Sequence, residues 1–317
     1  MNVKVFDFHC DTALSLLGRD GKGGVSLRKN TGHIDLERAK SLEGFAQCFA
    51  CFTTPWERLP ENVTVADVFE SQLNTLMNQL EENKDLIQLA YAPENILSNQ
   101  EKGLMSAVLT IEGPAGFGFD PGMLDSLYQV GFRVSTLGWN EKNELTGSNV
   151  TGGGLTEKGR EYVRRAQNLG ITVDVSHISD EGFWDIMNIT QKPIIATHSN
   201  SRKVFHHSRN LTDEMFRAIC ETGGVAGFNQ YAAFVGDNAD LDTACDHILH
   251  FLDLDPDGRH IALGGDLDGC DKLPDGFDGV QSYPAFAQRL MERGVDAVTL
   301  ERIFWENALE VLKSCSM

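Results

Sequence analysis

The sequence predicts an α/β fold of the (β/α)8 class, a TIM barrel. Eight short apolar runs alternate with amphipathic stretches along almost the whole chain. The 317 residues could serve one large core or two small domains, and one barrel of roughly 250 residues with long loops fits that length. The polar residues that interrupt the apolar runs fall mostly at their C-terminal ends, where a barrel of this kind gathers its functional side chains.

In chain order the expected strands are Val3–His9, Gly44–Phe52, Ser106–Glu112, Gly131–Leu137, Ile171–His177, Pro193–His198, Gly224–Asn229 and His260–Asp266. Most are nearly continuous apolar runs rather than strict alternations, as expected for parallel strands covered on both faces. Between them lie helix candidates. Thr64–Glu82 starts at a plausible N-cap threonine and carries apolar residues at helical spacing, and Thr156–Leu169 starts the same way. Asp180–Ile189, Thr212–Glu221 and Asp242–Leu252 follow, and Thr299–Leu312 closes the chain. An open doubly wound sheet shares this alternation, but eight units in this length favour the closed barrel. No Pro- or Ser-rich linker, charge block, repeat or low-complexity tract divides the chain, so residues 1–317 are expected to form one domain.

Composition excludes several roles. Acidic residues outnumber basic ones by 46 to 27, a net charge of −19 that repels a phosphate backbone, so no nucleic-acid partner is expected. No stretch approaches the roughly 20 apolar residues that cross a bilayer, so no membrane is expected either. The opening MNVKVFDFHCDT lacks the basic and apolar regions of a secretory signal, so the expected location is cytoplasmic and the seven scattered cysteines are expected to be reduced. Cys48 and Cys51 form a CxxC, but within a strand positions i and i+3 face opposite ways, so core thiols are expected rather than a redox or metal pair.

The first run ends in Phe8-His9-Cys10-Asp11, and in an extended strand His9 and Asp11 would leave on one face. The third ends in Glu112 before Gly113-Pro114, the fifth in His177, the sixth in His198 and the eighth in Asp266. A lone histidine in an apolar strand is ordinarily a satisfied core residue. Joint placement tips the balance, because three imidazoles and two carboxylates at C-terminal strand ends converge on one mouth and all suit zinc. Five ligands are too many for one open four-coordinate ion, and they fit two metals a few ångströms apart. Glu112 is the natural bridge, with His9 and Asp11 on one ion and His177 and His198 on the other. The metals' charge would make a bridging hydroxide available near neutral pH, and Asp266 could carry a proton.

At these residues the sequence resembles the membrane (renal) dipeptidase family. The matching segments are DFHCDT (7–12), TIEGP (110–114), GGLTEKGREYV (153–163), VDVSHISDEGFWDI (173–186), PIIATHSNSR (193–202), HSRNLTDE (207–214) and GGDLDG (264–269), in an order and spacing that cover nearly the whole chain. The resemblance implies a barrel of the metal-dependent hydrolase type with two Zn2+ per chain. It implies hydrolysis of free dipeptides, often with a D-residue tolerated second. His9, Asp11 and Glu112 match the ligands of one zinc, and Glu112, His177 and His198 those of the other. Arg209 matches the arginine that grips the substrate, and a guanidinium suits a carboxylate. Asp266 matches the aspartate near the scissile bond. Trp139 departs from the pattern, standing where the mammalian branch has a substrate-binding histidine, which leaves the oxyanion to the zinc or to Asn140 and makes Trp139 a candidate pocket wall. Ser208 replaces a proline of the family. The partner expected is a dipeptide, and a homodimer stays open.

Two other readings stand beside this one. The same two-zinc site could act on another amide, a lactam or a lactone, and Trp139 leaves room for that. A binding protein that keeps the barrel without catalysis is disfavoured, since clustered polar groups are costly to desolvate without a partner. Asp253–Gly258 begins like an EF-hand loop but has Gly264 where the bidentate glutamate belongs, and the 154–160 glycine pattern lacks the Lys-Ser/Thr of a P-loop. His206-His207 is read as loop, and the Asn-x-Thr sequons mean little without secretion.

Overall fold

Strand β1 (Lys4–Cys10) lies parallel to both of its neighbours, β2 (Gly44–Phe52) and β9 (Ile261–Leu263), in a computed structural model that describes residues 2–18, 25–55 and 59–316. From β2 the sheet continues through β4 (Met105–Glu112), β5 (Phe132–Thr136), β6 (Thr172–Asp174) and β7 (Ile194–Ile195). On the other side β9 pairs with β8 (Ala226–Phe228). Ala196 closes the ring. Its N–H donates to the Val225 carbonyl at 3.0 Å and its own carbonyl accepts from Gly227 at 2.8 Å. The expected eight-stranded parallel barrel is therefore observed, with all eight expected strands in place.

Elements beyond that expectation are short. A ninth strand, β3 (Ile87–Leu89), pairs with Met105–Ala107 and leaves the later part of β4 to β5. Helices Pro93–Glu101, Leu124–Val130 and Tyr283–Glu292 were not among the expected ones. The closing helix expected at Thr299–Leu312 is divided into Ala297–Glu301, a π-helical turn at Arg302–Glu306, and Asn307–Ser316. Five strands end earlier than their apolar runs, the fourth and seventh by one residue, at Thr136 and Phe228, and three by more. The fifth and sixth expected strands shrink to Thr172–Asp174 and Ile194–Ile195, and the last to Ile261–Leu263, so the polar residues that follow sit in turns.

The longest helix shows how sequence sets an element. Thr64 Oγ1 accepts from Asp67 N at 3.1 Å while Thr64 N donates to Asp67 Oδ2 at 2.7 Å, a capping box at the start of Val65–Glu82. Phe69, Gln72, Leu76 and Leu80 then bury one stripe of it. Thr156 caps Glu157–Leu169 by its hydroxyl alone, accepting from Gly159 N at 3.0 Å.

Two apolar layers hold the barrel. One, between sheet and helices, includes Phe45, Phe49, Leu109, Phe132, Tyr162, Phe216 and Phe286. The other joins Phe6, Phe8, Ala46, Cys48, Val108, Val134, Ile195 and Ala262 to Trp305, Ala308, Val311 and Leu312, so the C-terminal segment packs against the barrel end opposite the polar mouth. Cys48 belongs to the second layer and Cys51 to the first, on opposite faces, and both are free thiols. No helix among the described residues is long and apolar enough to cross a membrane.

Candidate active site

His9 reaches the interior through an irregularity. The register of β1 on β2 shifts between Asp7 and Cys10. The Asp7 carboxylate holds the shifted backbone, accepting from His9 N at 2.9 Å, Gly265 N at 2.7 Å and Gln47 Nε2 at 2.9 Å, with the Tyr283 hydroxyl also donating to it. Asp11 lies beyond the strand, at the N-cap of the short helix Thr12–Ser15 with φ −98° and ψ 22°. The extended i, i+2 geometry expected for His9 and Asp11 is therefore corrected. A bulge followed by a helix start brings the two together.

Glu112, the last residue of β4, lies at the centre of the site. Its Oε2 is 3.2 Å from His9 Nε2, and its Oε1 is 3.0 Å from His177 Nε2 and 3.9 Å from His198 Nε2. His9 Nε2 is also 3.8 Å from Asp11 Oδ2 and 4.0 Å from Asp266 Oδ1. Two sets of donor atoms are close enough to share an ion, His9 with Glu112 and His198, and His9 with Asp11 and Asp266. His177 and Asp266 adopt left-handed backbone, with φ of 71° and 56°. Such strain in non-glycine residues persists only where the surroundings impose it, and it is concentrated at functional sites. Gly269 lies so near that a Cβ there would sit 2.1 Å from Asp11 Oδ2 and 2.5 Å from Asp266 Oδ1.

The tautomers of the two later histidines follow from their partners. His177 Nδ1 is 3.1 Å from Asn140 Oδ1, which can only accept, so Nδ1 carries the proton. Thr197 donates its hydroxyl to Asp174 Oδ2 at 2.5 Å, so at 2.7 Å it accepts from His198 Nδ1. Both Nε2 atoms are thus left with lone pairs, and they face each other 2.9 Å apart. Two lone pairs at that separation repel unless a cation lies between or beside them. His9 Nε2, Glu112 Oε2 and Asp11 Oδ1 are buried without hydrogen-bond partners. Donors of this type and orientation fit a metal.

The electrostatics agree with that fit. Burial pushes His177 and His198 well below the ordinary histidine value, helped by the positive charges of Arg209 and His9, and so keeps them as neutral ligands. Burial alone would lower His9 too, but the negative charges of Glu112 and Asp11 override it and hold His9 well above the usual range. Burial, with the neighbouring Asp11, pushes Glu112 up to about 8. Asp266 is raised by burial as well, and its Oδ2 accepts from Asn229 Nδ2 at 3.0 Å. A cavity that raises carboxylates and attracts protons to His9 is short of positive charge.

Arg209 is 5% exposed at the edge of this cluster. Its Nη1 reaches Ser199 Oγ and its Nη2 the His198 carbonyl, both at 3.4 Å, and Nε has no partner. Burial lowers its pKa. A buried guanidinium held this loosely retains donors for an incoming anion. Trp139 is half-buried, its ring edge-on to Phe52 at 5.2 Å and 6.2 Å from that of His177.

The sequence profile described as Membrane dipeptidase (Peptidase family M19) matches residues 1–316. The chain belongs to the membrane dipeptidase family. It is thereby a metallo-dipeptidase by family, and the resemblance seen in its motifs holds over the full length. It is 35% identical over 217 residues to the uncharacterized dipeptidase C3A11.10c of Schizosaccharomyces pombe, a match covering 66% of this chain and 53% of that protein. It is 32% identical over 262 residues to an uncharacterized protein encoded in the pqqA 5' region of Klebsiella pneumoniae, covering 78% of this chain and 96% of that one. Among solved structures, the dipeptidase AC of metallopeptidase family M19 superposes with a TM-score of 0.88 at 26% identity, covering 100% of both chains. A metallopeptidase from Rhodobacter sphaeroides, liganded with a phosphinate mimic of the dipeptide L-Ala-D-Ala, superposes with a TM-score of 0.88 over 99% of this chain and 100% of that one, and at 24% identity it shows the shared fold.

In this family member His9, Asp11, Glu112, His177, His198 and Asp266 come together at the mouth, with Arg209, Trp139 and Asn140 around them. Sequence reasoning missed Asp174, Thr197 and Asn229, which orient His198 and Asp266. A signal was present for each. All three are polar residues at or just past the end of an apolar run, the criterion that found the ligands.

Proposed function

We propose that this family member is a zinc-dependent dipeptidase that hydrolyses the peptide bond of free dipeptides, L-Xaa-L-Xaa and also L-Xaa-D-Xaa, with two zinc ions at the mouth of a single barrel domain. The observation that carries the reading is the approach of His177 Nε2 and His198 Nε2 to within 2.9 Å of each other beside Glu112 Oε1, with Glu112 Oε2 and His9 Nε2 buried and unpartnered on the other side of the same carboxylate. His9 and Asp11 would hold one ion, His177 and His198 the other, and Glu112 would bridge. When bound, the ions supply Lewis acidity and lower the pKa of a water that serves as nucleophile.

The chain's own residues do the rest. Arg209 binds the carboxylate of the dipeptide through its free donors. Trp139 walls the pocket beside His177. Asn140 orients His177 through Oδ1 and keeps its amide N–H for the substrate carbonyl or the oxyanion that forms from it. Asp266, with its raised pKa, takes a proton from the attacking water and returns it to the leaving amine. The second reading, another amide, lactam or lactone as substrate, is favoured only by Trp139, which stands where the mammalian branch binds substrate with a histidine.

The test is metal content together with hydrolysis of L-Ala-L-Ala and L-Ala-D-Ala before and after chelation. Two zincs per chain with chelator-sensitive cleavage is the expected result. Two zincs without cleavage of any dipeptide would move the assignment to the second reading.

A further inference from the structure

Arg202 lies outside the cluster of candidate metal ligands, yet four hydrogen bonds hold its guanidinium. Nη1 and Nη2 form a fork on Asp180, at 2.7 Å to Oδ2 and 2.8 Å to Oδ1. Its remaining donors turn the other way. Nε donates to the Asn210 carbonyl at 2.7 Å and Nη2 to the Ser208 carbonyl at 3.3 Å. Those carbonyls flank Arg209 on both sides. Among the described residues the Arg209 guanidinium has two side-chain hydrogen bonds, each 3.4 Å long, and the Phe234 ring 5.4 Å away, so the backbone at 208 and 210 has a large share in where it sits.

The anchor on the other side is equally informative. Asp180 is the first residue of the helix Asp180–Met187, capped by Ser179, two residues after His177. Other bonds close the neck of the same loop. Arg202 N donates to the Leu211 carbonyl at 2.7 Å, Leu211 N to the Asn200 carbonyl at 2.8 Å, and Asn210 Nδ2 to the Phe205 and Phe234 carbonyls at 2.9 Å each. The neck is therefore held without Arg202's side chain. What that side chain adds is a fixed span from the His177 turn to the two peptide groups around Arg209. The planar fork of arginine suits this task, and a lysine ammonium cannot serve a carboxylate and two carbonyls in one plane.

We propose that Arg202, braced by Asp180, is a positioning residue for Arg209 and thereby sets how tightly the enzyme holds the substrate carboxylate. The inference rests on the reading of Arg209 as the carboxylate-binding group. A grip on the substrate carboxylate, away from the bond that breaks, is made alike before and during the reaction, and loss of such uniform binding raises KM with kcat unchanged. Loss of the Arg202 fork is therefore expected to raise KM rather than to slow the chemistry.

The experiment is steady-state kinetics of the zinc-loaded enzyme on L-Ala-L-Ala and its C-terminal amide, for R202M, R202K, D180N, R209M and the R202M/R209M double variant, with metal content and Tm recorded for each. R202M is expected to raise KM for the free dipeptide about 10-fold or more, with kcat within about 3-fold, unchanged zinc, and little change in kcat/KM for the amide. R202K should not rescue it. D180N, which alters a half-exposed carboxylate and should fold in any case, is expected to shift KM the same way by a smaller factor. The double variant should be no worse than R209M alone, because Arg202 acts only through Arg209. Additive losses in the double variant, an equal loss for the amide, or unchanged KM in both R202M and D180N would overturn the proposal. If R209M itself fails to separate dipeptide from amide, the carboxylate reading falls first and this inference with it.

Discussion

His247 makes the folded chain acid-labile by a predictable amount. It sits fully buried on the helix Leu241–Leu254, its Nδ1 accepting from Ser201 N at 3.1 Å and its Nε2 donating to the Val235 carbonyl at 2.9 Å. The ring thus joins the loop that carries Arg209 to the segment after β8, and it does so as a neutral imidazole. Burial lowers its pKa to about 4, with only partial compensation from the Val235 carbonyl. The folded value lies below the unfolded one of about 6.5, so protonation favours unfolding. The stability is fully present above about pH 6.5 and is lost as pH falls toward 4. A gap of about 2.5 units at about 1.4 kcal/mol each sets the total near 3 kcal/mol, most of it lost between about pH 7 and pH 4.5. The assay is urea unfolding of the parent and His247→Gln, both with chelator, so that proton uptake by the metal ligands is common to the two and cancels in the difference. The variant should start about 1–3 kcal/mol less stable at pH 7, with the Ser201 amide unpaired. The gap should then shrink by about 2–3 kcal/mol at pH 4.5. Two stability curves that stay parallel from pH 7 to 4.5 would refute the reasoning and mean that His247 is not held neutral by its burial.

Three further outcomes test the site. Glu112→Gln is expected to lose both metals together, read as zinc per chain after dialysis, and retention of two equivalents would remove the bridging role. Asp174→Asn should weaken metal binding by about 10–100-fold in a chelator competition, because Thr197 loses the acceptor that makes it accept from His198; unaltered affinity would show that the tautomer is fixed otherwise. Asp266→Asn should lower kcat by about 100-fold or more while the fold is kept, and unchanged turnover would end its role as proton carrier.

The barrel was legible because the eight buried strands are continuous apolar runs, a pattern that parallel pairing requires. β3 was not, because three residues with an exposed Gln88 at the centre leave no run to see. The closing helix was read whole across its π-helical turn because its apolar spacing continues through Ile303, Phe304 and Trp305, all buried. At the site, residue identity was easier to read than residue geometry. His9 and Asp11 were placed on one face of one strand, but a bulge held by Asp7 and a helix start deliver them, and neither is written in the spacing. The Arg202 clamp was hidden for a different reason. Its acceptors are mostly backbone carbonyls, which carry no residue-type signal, and its carboxylate partner is 22 residues away.

The two halves of the site make different demands, and only a cation meets both. Between His9 and Glu112 a single proton would suffice, since Nε2 and Oε2 are 3.2 Å apart and the surrounding carboxylates favour positive charge there. Between His177 and His198 a proton does not serve. Both Nδ1 protons are already committed, to Asn140 and to Thr197, so a further proton on either Nε2 makes an imidazolium. Burial and the nearby Arg209 oppose that charge and hold the pKa of both rings well below the ordinary histidine value. A metal ion would escape this limit because it accepts several lone pairs at once, and His177, His198 and Glu112 would be the residues to hold it. The same argument explains why Arg209 can remain nearby without collapsing onto Glu112. Were the carboxylates engaged by metal, as proposed above, the guanidinium would be left with unspent donors for the substrate carboxylate assigned to it.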